Sequence, residues 1–282
     1  MPKVTVIIPT CDRVETLEHC LKTVTTQDFD SLEILISNNS STDGTEEFLR
    51  NQKDSRIKII KSPKRLGMSE HWDFALTHAS GEWITFLGDD DGLLPSSISR
   101  FCEIVEREKI EAVSSICCSF NWPIELGDQG RLSVPTGVGY KILDAKKNLQ
   151  LAMKSSFAYS HLPWIYTGGF AKTELLKKIA KKKGRFFLSI NPDLYSSVAL
   201  SSNVDNYALS DTPLFIGGTS KKSNGSQTFN SSPEKIESIP FFSENKIEFY
   251  KGLGNGFIPS LSFLLYECYI QSKPVRNFDL NI

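Results

Sequence analysis

An α/β fold with a doubly wound, mostly parallel sheet is predicted by three features of this chain. Short apolar runs alternate with stretches of helical periodicity through the first 120 residues. Clusters of Gly, Pro, Ser and Asp separate them, and the runs are apolar at successive positions, as in strands buried on both faces.

Val4 to Ile8 opens the series as a buried strand. Asp12, with Glu15 three residues on, has a capping-box pattern, and Val14, Leu17, Leu21 and Val24 follow at spacings of 3, 4 and 3, the stripe of an amphipathic helix. Leu32 to Ser37 is the second strand, and Ser40-Ser41-Thr42-Asp43-Gly44 turns the chain into a short helix ending near Arg50. Ile57 to Lys61 is the third strand. A loop around Pro63 to Gly67 leads to a helix over Ser69 to Ala79, and Gly81 punctuates the entry to a strand at Trp83 to Leu87. Pro95 suits the first turn of a helix over Pro95 to Glu108, and Glu111 to Phe120 reads as another strand. The second half is less periodic: a Gly- and Pro-bearing excursion from Asn121 to Gly139, a helix from Asp144 to Lys154, and an aromatic segment from Trp164 to Phe170.

With 282 residues, 40% of them hydrophobic, the chain can bury a substantial core. We divide it into an α/β half (1–120), an elaborated half of the same domain (121–235) and a C-terminal helical extension (236–282). The balance of 32 basic against 33 acidic residues leaves no field to attract nucleic acid, which is excluded as a partner. Met1-Pro2-Lys3 runs straight into a strand without a signal-peptide pattern, so a cytoplasmic location is expected. Six cysteines without paired spacing are expected as free thiols. The apolar stretch Phe257 to Ile270 is too short to span a bilayer and reads as a packed helix.

The densest chemistry lies in Gly88-Asp89-Asp90-Asp91, directly after Trp83-Ile84-Thr85-Phe86-Leu87. Adjacent carboxylates repel unless something positive sits among them. Ligands of open α/β sheets gather at the carboxyl ends of strands, and hard oxygen donors there suit Mg²⁺ or Mn²⁺ carrying a diphosphate. The plainer reading is a solvated acidic turn.

Three segments in this order resemble family 2 of the inverting glycosyltransferases: Val6-Ile7-Ile8-Pro9-Thr10-Cys11-Asp12-Arg13, Glu33 through Thr45 with its Asn38-Asn39-Ser40-Ser41-Thr42-Asp43-Gly44 core, and Gly81 through Asp91. The resemblance implies the GT-A fold, a nucleotide-sugar donor and a divalent metal. It places Pro9 and Thr10 against the nucleobase and ribose, with Asp12 nearby. Asn39 stands where many relatives have an aspartate that accepts a base N–H, and its carboxamide can accept or donate. Arg65 falls in a loop approaching the nucleotide, where relatives often carry Asn. The family's Asp-x-Asp motif begins here with Gly88, leaving Asp90 as the expected metal ligand, Asp89 for ribose or metal, and Asp91 beside the cation.

In the second half, Asn191 to Val198 resembles the helix start where relatives place the general base. Asp193 is therefore the candidate base, with Asp205 and Asp211 next; its plain reading is a carboxylate favoured by the helix dipole. Trp164, Tyr166, Gly168 and Gly169 resemble the acceptor-side segment. The Gln-x-x-Arg-Trp motif and membrane helices of processive synthases are missing, which points to transfer of a single sugar. The expected reaction is inverting transfer from a nucleoside-diphosphate sugar, a UDP-sugar first, to a saccharide or lipid-linked saccharide in surface-glycan synthesis. A catalytically inactive sugar-nucleotide-binding partner is the alternative. A nucleotidyltransferase would need a glycine-rich basic loop where Pro9 to Arg13 stands. The run Lys177, Lys178, Lys181, Lys182, Lys183 and Arg185 reads as a solvated helix face, or else as an attraction to anionic lipid at the inner membrane face.

Overall fold

The computed structural model describes residues 3–123, 130–225, 239–249 and 260–280. Part of the 121–139 excursion, the start of the 236–282 extension and the first residues of the expected 257–270 helix lie outside them. Ten strands form one mixed sheet in the order β3-β2-β1-β4-β9-β6-β10-β5, with β7 paired to β6 and β8 to β10.

The sheet starts from β1 (Val4–Thr10), which pairs in parallel with β2 (Leu32–Asn38) and β4 (Trp83–Phe86); β2 pairs in parallel with β3 (Ile57–Lys61). Successive side chains of a strand point to opposite faces. Accordingly Val6 and Ile8 enter a core with Leu17, Leu21 and Phe101, while Ile7 enters another with Trp72, Phe86 and Phe187. This two-sided burial explains the unbroken apolar runs. Helices α1 (Val14–Thr25), α2 (Thr45–Arg50) and α4 (Ser97–Arg107) contribute to the first core. Helices α3 (Met68–Leu76), α5 (Ala145–Lys154), α6 (Thr173–Lys181), α7 (Pro192–Ser201) and α8 (Leu261–Gln271) contribute to the second.

Two helix starts differ from the sequence reading. Asp12 does not cap α1: it sits in the left-handed region at φ 55°, its carboxylate takes the Thr42 N–H, and the first amide of α1, on Val14, is bonded at 3.0 Å by Asp43. The capping carboxylate thus arrives from the β2–α2 loop, a choice that local spacing does not encode. Pro95 lies ahead of α4 rather than in its first turn, because Ser96 at φ 60° intervenes.

The parallel order is interrupted by β9 (Gly169–Lys172), antiparallel to both β4 and β6 (Ala112–Asn121). It fits because Gly169 has no side chain: a Cβ there would meet the Trp164 carbonyl at 2.2 Å and that of Val113 at 2.7 Å. Strand β10 (Asn206–Thr219) pairs in parallel with β6 and antiparallel with β5 (Gly92–Leu93) and β8 (Tyr140–Asp144), while β7 (Arg131–Ser133) extends the edge beside β6. Pairing β5 with β10 brings the acidic turn before β5 against a strand more than a hundred residues later.

All six cysteines are free. Among the described residues no helix is long and apolar enough to cross a membrane. Lys177, Lys178, Lys181, Lys182 and Lys183 are exposed, on and just after a helix whose Leu175, Leu176 and Ile179 face inward. Phe101 is fully buried, stacks on Phe170 at 4.0 Å and meets Trp83 edge-on at 5.1 Å. Phe101→Ala is therefore expected to cost about 3–5 kcal/mol, read as a lower urea midpoint at unchanged m-value.

Candidate active site

A cavity of about 590 Å³ opens at the carboxyl ends of β1 and β4, within the range of small-molecule sites and at the edge where α/β sheets bind ligands. It is lined by Pro9, Thr10, Asp12, Asn39, Arg65, Asp89, Asp90, Tyr166 and Asp193 of the residues singled out from sequence. Asp91, Trp164, Gly168, Gly169, Asp205 and Asp211 do not line it.

Asp89, Asp90 and Asp91 are only 5%, 5% and 6% exposed, so the solvated acidic turn is ruled out. Each has its own partners. Asp89 accepts from Thr10 Oγ1 at 2.8 Å and from Arg13 Nη1 at 3.1 Å. Burial pushes its carboxyl up to about 6, with Arg13 opposing the rise and Asp90 adding to it. Asp90 receives the hydroxyls of Ser220 and Ser223, both at 2.6 Å, and lies 3.4 Å from Arg13 Nη1. All three contacts fall on Oδ2, and its main-chain carbonyl accepts from Trp122 Nε1 at 2.8 Å. Asp91 turns away from the cavity: Oδ1 accepts the Gly218 N–H at 2.6 Å, and Oδ2 accepts the Gly88 N–H at 3.1 Å and the Thr167 hydroxyl. Burial and Asp90 push it up to about 7 against those bonds. Its carboxylate knits the acidic turn to β10 instead of standing beside a cation.

Of the two hydrogen-bond polarities open to Asn39, its neighbours leave one. Its Oδ1 accepts from the Leu66 N–H at 2.9 Å and from Ser62 Oγ at 3.1 Å, while Nδ2 donates to the Leu66 carbonyl at 2.8 Å. With both lone pairs engaged, what remains for a ligand is one N–H. Arg65 stands at the rim, paired with Asp12 and with Glu244 at 2.8 Å. Gly168, at φ 144°, and Gly169 serve close backbone packing rather than the cavity wall.

Asp193 opens α7, directly after Pro192, and is half-buried on the cavity wall. Burial raises its carboxyl above its usual range against the N–H groups of Leu194 and Asp193 itself. Trp72, Tyr166 and Phe241 line the same cavity, with Trp72 buried and stacked on Phe86 at 4.7 Å.

Sequence reasoning missed several lining or bonding residues. Arg13, Trp122, Thr167, Ser220, Lys222 and Ser223 carry no local pattern of their own. Lys222 spans the opening: its Nζ donates to the Asp12 carbonyl at 2.7 Å and its own carbonyl accepts from Arg13. The sole prior signal was the unmet need of three buried acids for donors.

Hard oxygen donors suit a divalent cation, and the donor set fits one in a specific way. The protein's bonds to the Asp90 carboxylate fall on Oδ2, so Oδ1 has no protein partner among the described residues. One carboxylate oxygen, with diphosphate and water supplying the rest, is a normal environment for Mg²⁺ or Mn²⁺. Among the described residues no group of three or more His, Cys, Asp or Glu could hold a metal by itself.

The profile of glycosyl transferase family 2 matches residues 5–161, over half of the chain. The chain belongs to that family. Among curated family relatives, a GalNAc(5)-diNAcBac-PP-undecaprenol β-1,3-glucosyltransferase of Campylobacter jejuni is 40% identical over 106 residues, 36% of this chain and 34% of the relative. A UDP-Glc:α-D-GlcNAc-diphosphoundecaprenol β-1,3-glucosyltransferase, WfaP of Escherichia coli, is 33% identical over 110 residues, 39% of this chain and 44% of the relative. This chain thus spans less than half the length of both. Among solved structures, S. aureus TarS 1–349 with UDP-GlcNAc superposes at a TM-score of 0.62, with 18% identity, covering 84% of this chain and 64% of that one. The mannosyltransferase PcManGT of Pyrobaculum calidifontis, solved with GDP-Man and Mn²⁺, reaches 0.54 with 18% identity, covering 96% and 73%. These neighbours establish the GT-A fold of this family 2 chain.

Gly218 is the tightest point of the site, since a Cβ there would lie 1.9 Å from the Asp90 carbonyl oxygen. Gly218→Ala should lower stability by about 1–3 kcal/mol, whereas Gly225→Ala, whose Cβ would meet nothing within 4 Å among the described residues, should leave the thermal midpoint unchanged.

Proposed function

We propose that this family 2 chain transfers a single sugar, with inversion, from a UDP-sugar to a hydroxyl of a lipid-linked saccharide in surface-glycan assembly. The observation that carries the reading is the meeting of Asp89, Asp90 and Asp193 on one cavity. The donor class rests on WfaP, whose name specifies UDP-Glc, and the acceptor class on the diphosphoundecaprenol named for it and the PP-undecaprenol named for the Campylobacter relative. Residues 1–120 then form the donor half and 121–235 the acceptor and base half.

In this mechanism Pro9 and Thr10 flank the nucleoside, the free N–H of Asn39 donates to a base carbonyl, and Asp89 holds the ribose while Arg13 balances its charge. Asp90 would hold Mg²⁺ or Mn²⁺, which when bound offsets charge on the departing diphosphate. Asp193 accepts the proton of the acceptor hydroxyl. That oxygen forms a bond to the anomeric carbon as the bond to the diphosphate oxygen on the opposite face breaks, and the electron pair leaves with the nucleoside diphosphate. No covalent enzyme intermediate arises. Tyr166 packs on the acceptor. The exposed lysines beside α6 suit a nearby anionic membrane surface.

Two measurements test the reading. UDP with Mn²⁺ should raise the thermal midpoint, as a ligand bound only to the native state does, and the rise should vanish in Asp90→Ala or with chelator; no rise with any nucleoside diphosphate overturns the proposed site. Asp193 acts as a base only when ionised. Because burial raises its carboxyl above the usual 3.8, activity should be lost as pH falls through a value above that. Asp193→Asn should abolish transfer while keeping the UDP-induced thermal shift.

A further inference from the structure

Helix α8 is apolar apart from a few positions, yet its Glu267 is completely buried. A carboxyl group withdrawn from water is costly unless it is bonded, so each bond it makes bears on what it holds. One such bond comes from Ser189, whose hydroxyl donates to Glu267 Oε2 at 2.6 Å. The same hydroxyl oxygen accepts the Asn191 N–H at 3.3 Å and the Cys268 thiol at 3.4 Å. One donor and two acceptor positions are all a serine hydroxyl has, and here all three are used. Asn191 is the residue immediately before α7, and Asp193 is the second residue of that helix. The Ser189 carbonyl in turn accepts from Ser69 Oγ at 2.6 Å, fastening the segment to α3.

We propose that Glu267 is a positioning residue for the general base: through Ser189 it fixes the Asn191 amide, and thereby the first turn of α7 that carries Asp193. The inference rests on the reading of Asp193 as the base. It gives α8, which does not line the cavity, a part in the reaction. Misplacing a reacting group by about 1 Å can cost about 100-fold in rate, so one hydrogen bond in this relay is enough to matter.

The test uses Ser189→Ala, Glu267→Leu and Glu267→Gln in the full chain, the last keeping an oxygen that can accept from Ser189. Two readouts are taken. Hydrogen exchange of the 189–196 amides should quicken in Ser189→Ala and Glu267→Leu and stay at the wild-type rate in Glu267→Gln, with the amides of β1 and β4 unchanged in all three. Release of UDP from UDP-glucose with Mn²⁺ should show kcat lowered about tenfold or more in the first two variants, with donor KM and the UDP-induced thermal shift retained, and recovered in Glu267→Gln. Unchanged exchange, or kcat within twofold of wild type in Ser189→Ala, overturns the proposal. So does a loss that Glu267→Gln fails to restore, or one carried by donor KM. Should Glu267→Leu not fold, Ser189→Ala decides the question. Asp193→Asn is the separate control: if it retains UDP release, the base reading fails, while the exchange result still reports on the relay.

Discussion

Burying three consecutive carboxylates is the constraint from which the rest of this structure follows. Side by side they repel, and each loses hydration worth several kcal/mol. The fold answers by sending them three ways. Asp89 goes to the β1 end, where Thr10 and Arg13 meet it; Asp90 to Ser220 and Ser223 after β10; Asp91 to the Gly218 amide and Thr167. The position of β10 beside the acidic turn, the glycine at 218 and the insertion of β9, which delivers Tyr166 and Thr167, all serve this dispersal. Satisfying Asp91 internally leaves Asp90 as the acid with an oxygen to spare, so a row of like residues becomes a row of unlike ones.

Much of the first half was legible from sequence. Strands buried on both faces announce themselves as unbroken apolar runs, and Val4 to Thr10, Leu32 to Asn38 and Trp83 to Phe86 lie within a residue or two of where hydrophobicity puts them. The stripe Val14, Leu17, Leu21, Val24 marks α1 because helical periodicity is local. What was illegible depends on distant partners. The carboxylate at the head of α1 comes from Asp43, and no spacing rule within the helix reveals that. Likewise β9 pairs antiparallel with β4 and β6, partners that its own four residues do not reveal.

The site divides in the same way. The acids at the end of β4 are visible because their local context is unusual, and Asp193 because the segment Asn191 to Val198 resembles the family's base-bearing helix start. Arg13, Ser220, Ser223 and Lys222 are ordinary residues in ordinary loops, and only the closed sheet brings them together. Asn39 shows a finer limit: residue type permits either hydrogen-bond polarity, and it is the neighbours Ser62 and Leu66 that select the donor. Motif reading named part of the cavity lining and missed Arg13, Lys222 and Ser223, and the hydrogen-bond roles of all of them required the structure.

The direct contact between Gly218 and the Asp90 backbone also bears on how the protein folds. Ser220 and Asp90 are 130 residues apart in the chain, so their pairing must wait for a long loop to close, and contacts of such separation form slowly. The stretch matched by the family profile, 5–161, holds all three acids but ends before Gly218, Ser220 and Ser223. A nascent chain that has emerged only that far holds Arg13 but lacks the Gly218, Ser220 and Ser223 donors of the acidic turn. The complete set of donors to the acidic turn and the finished sheet therefore come into being together, when β10 docks.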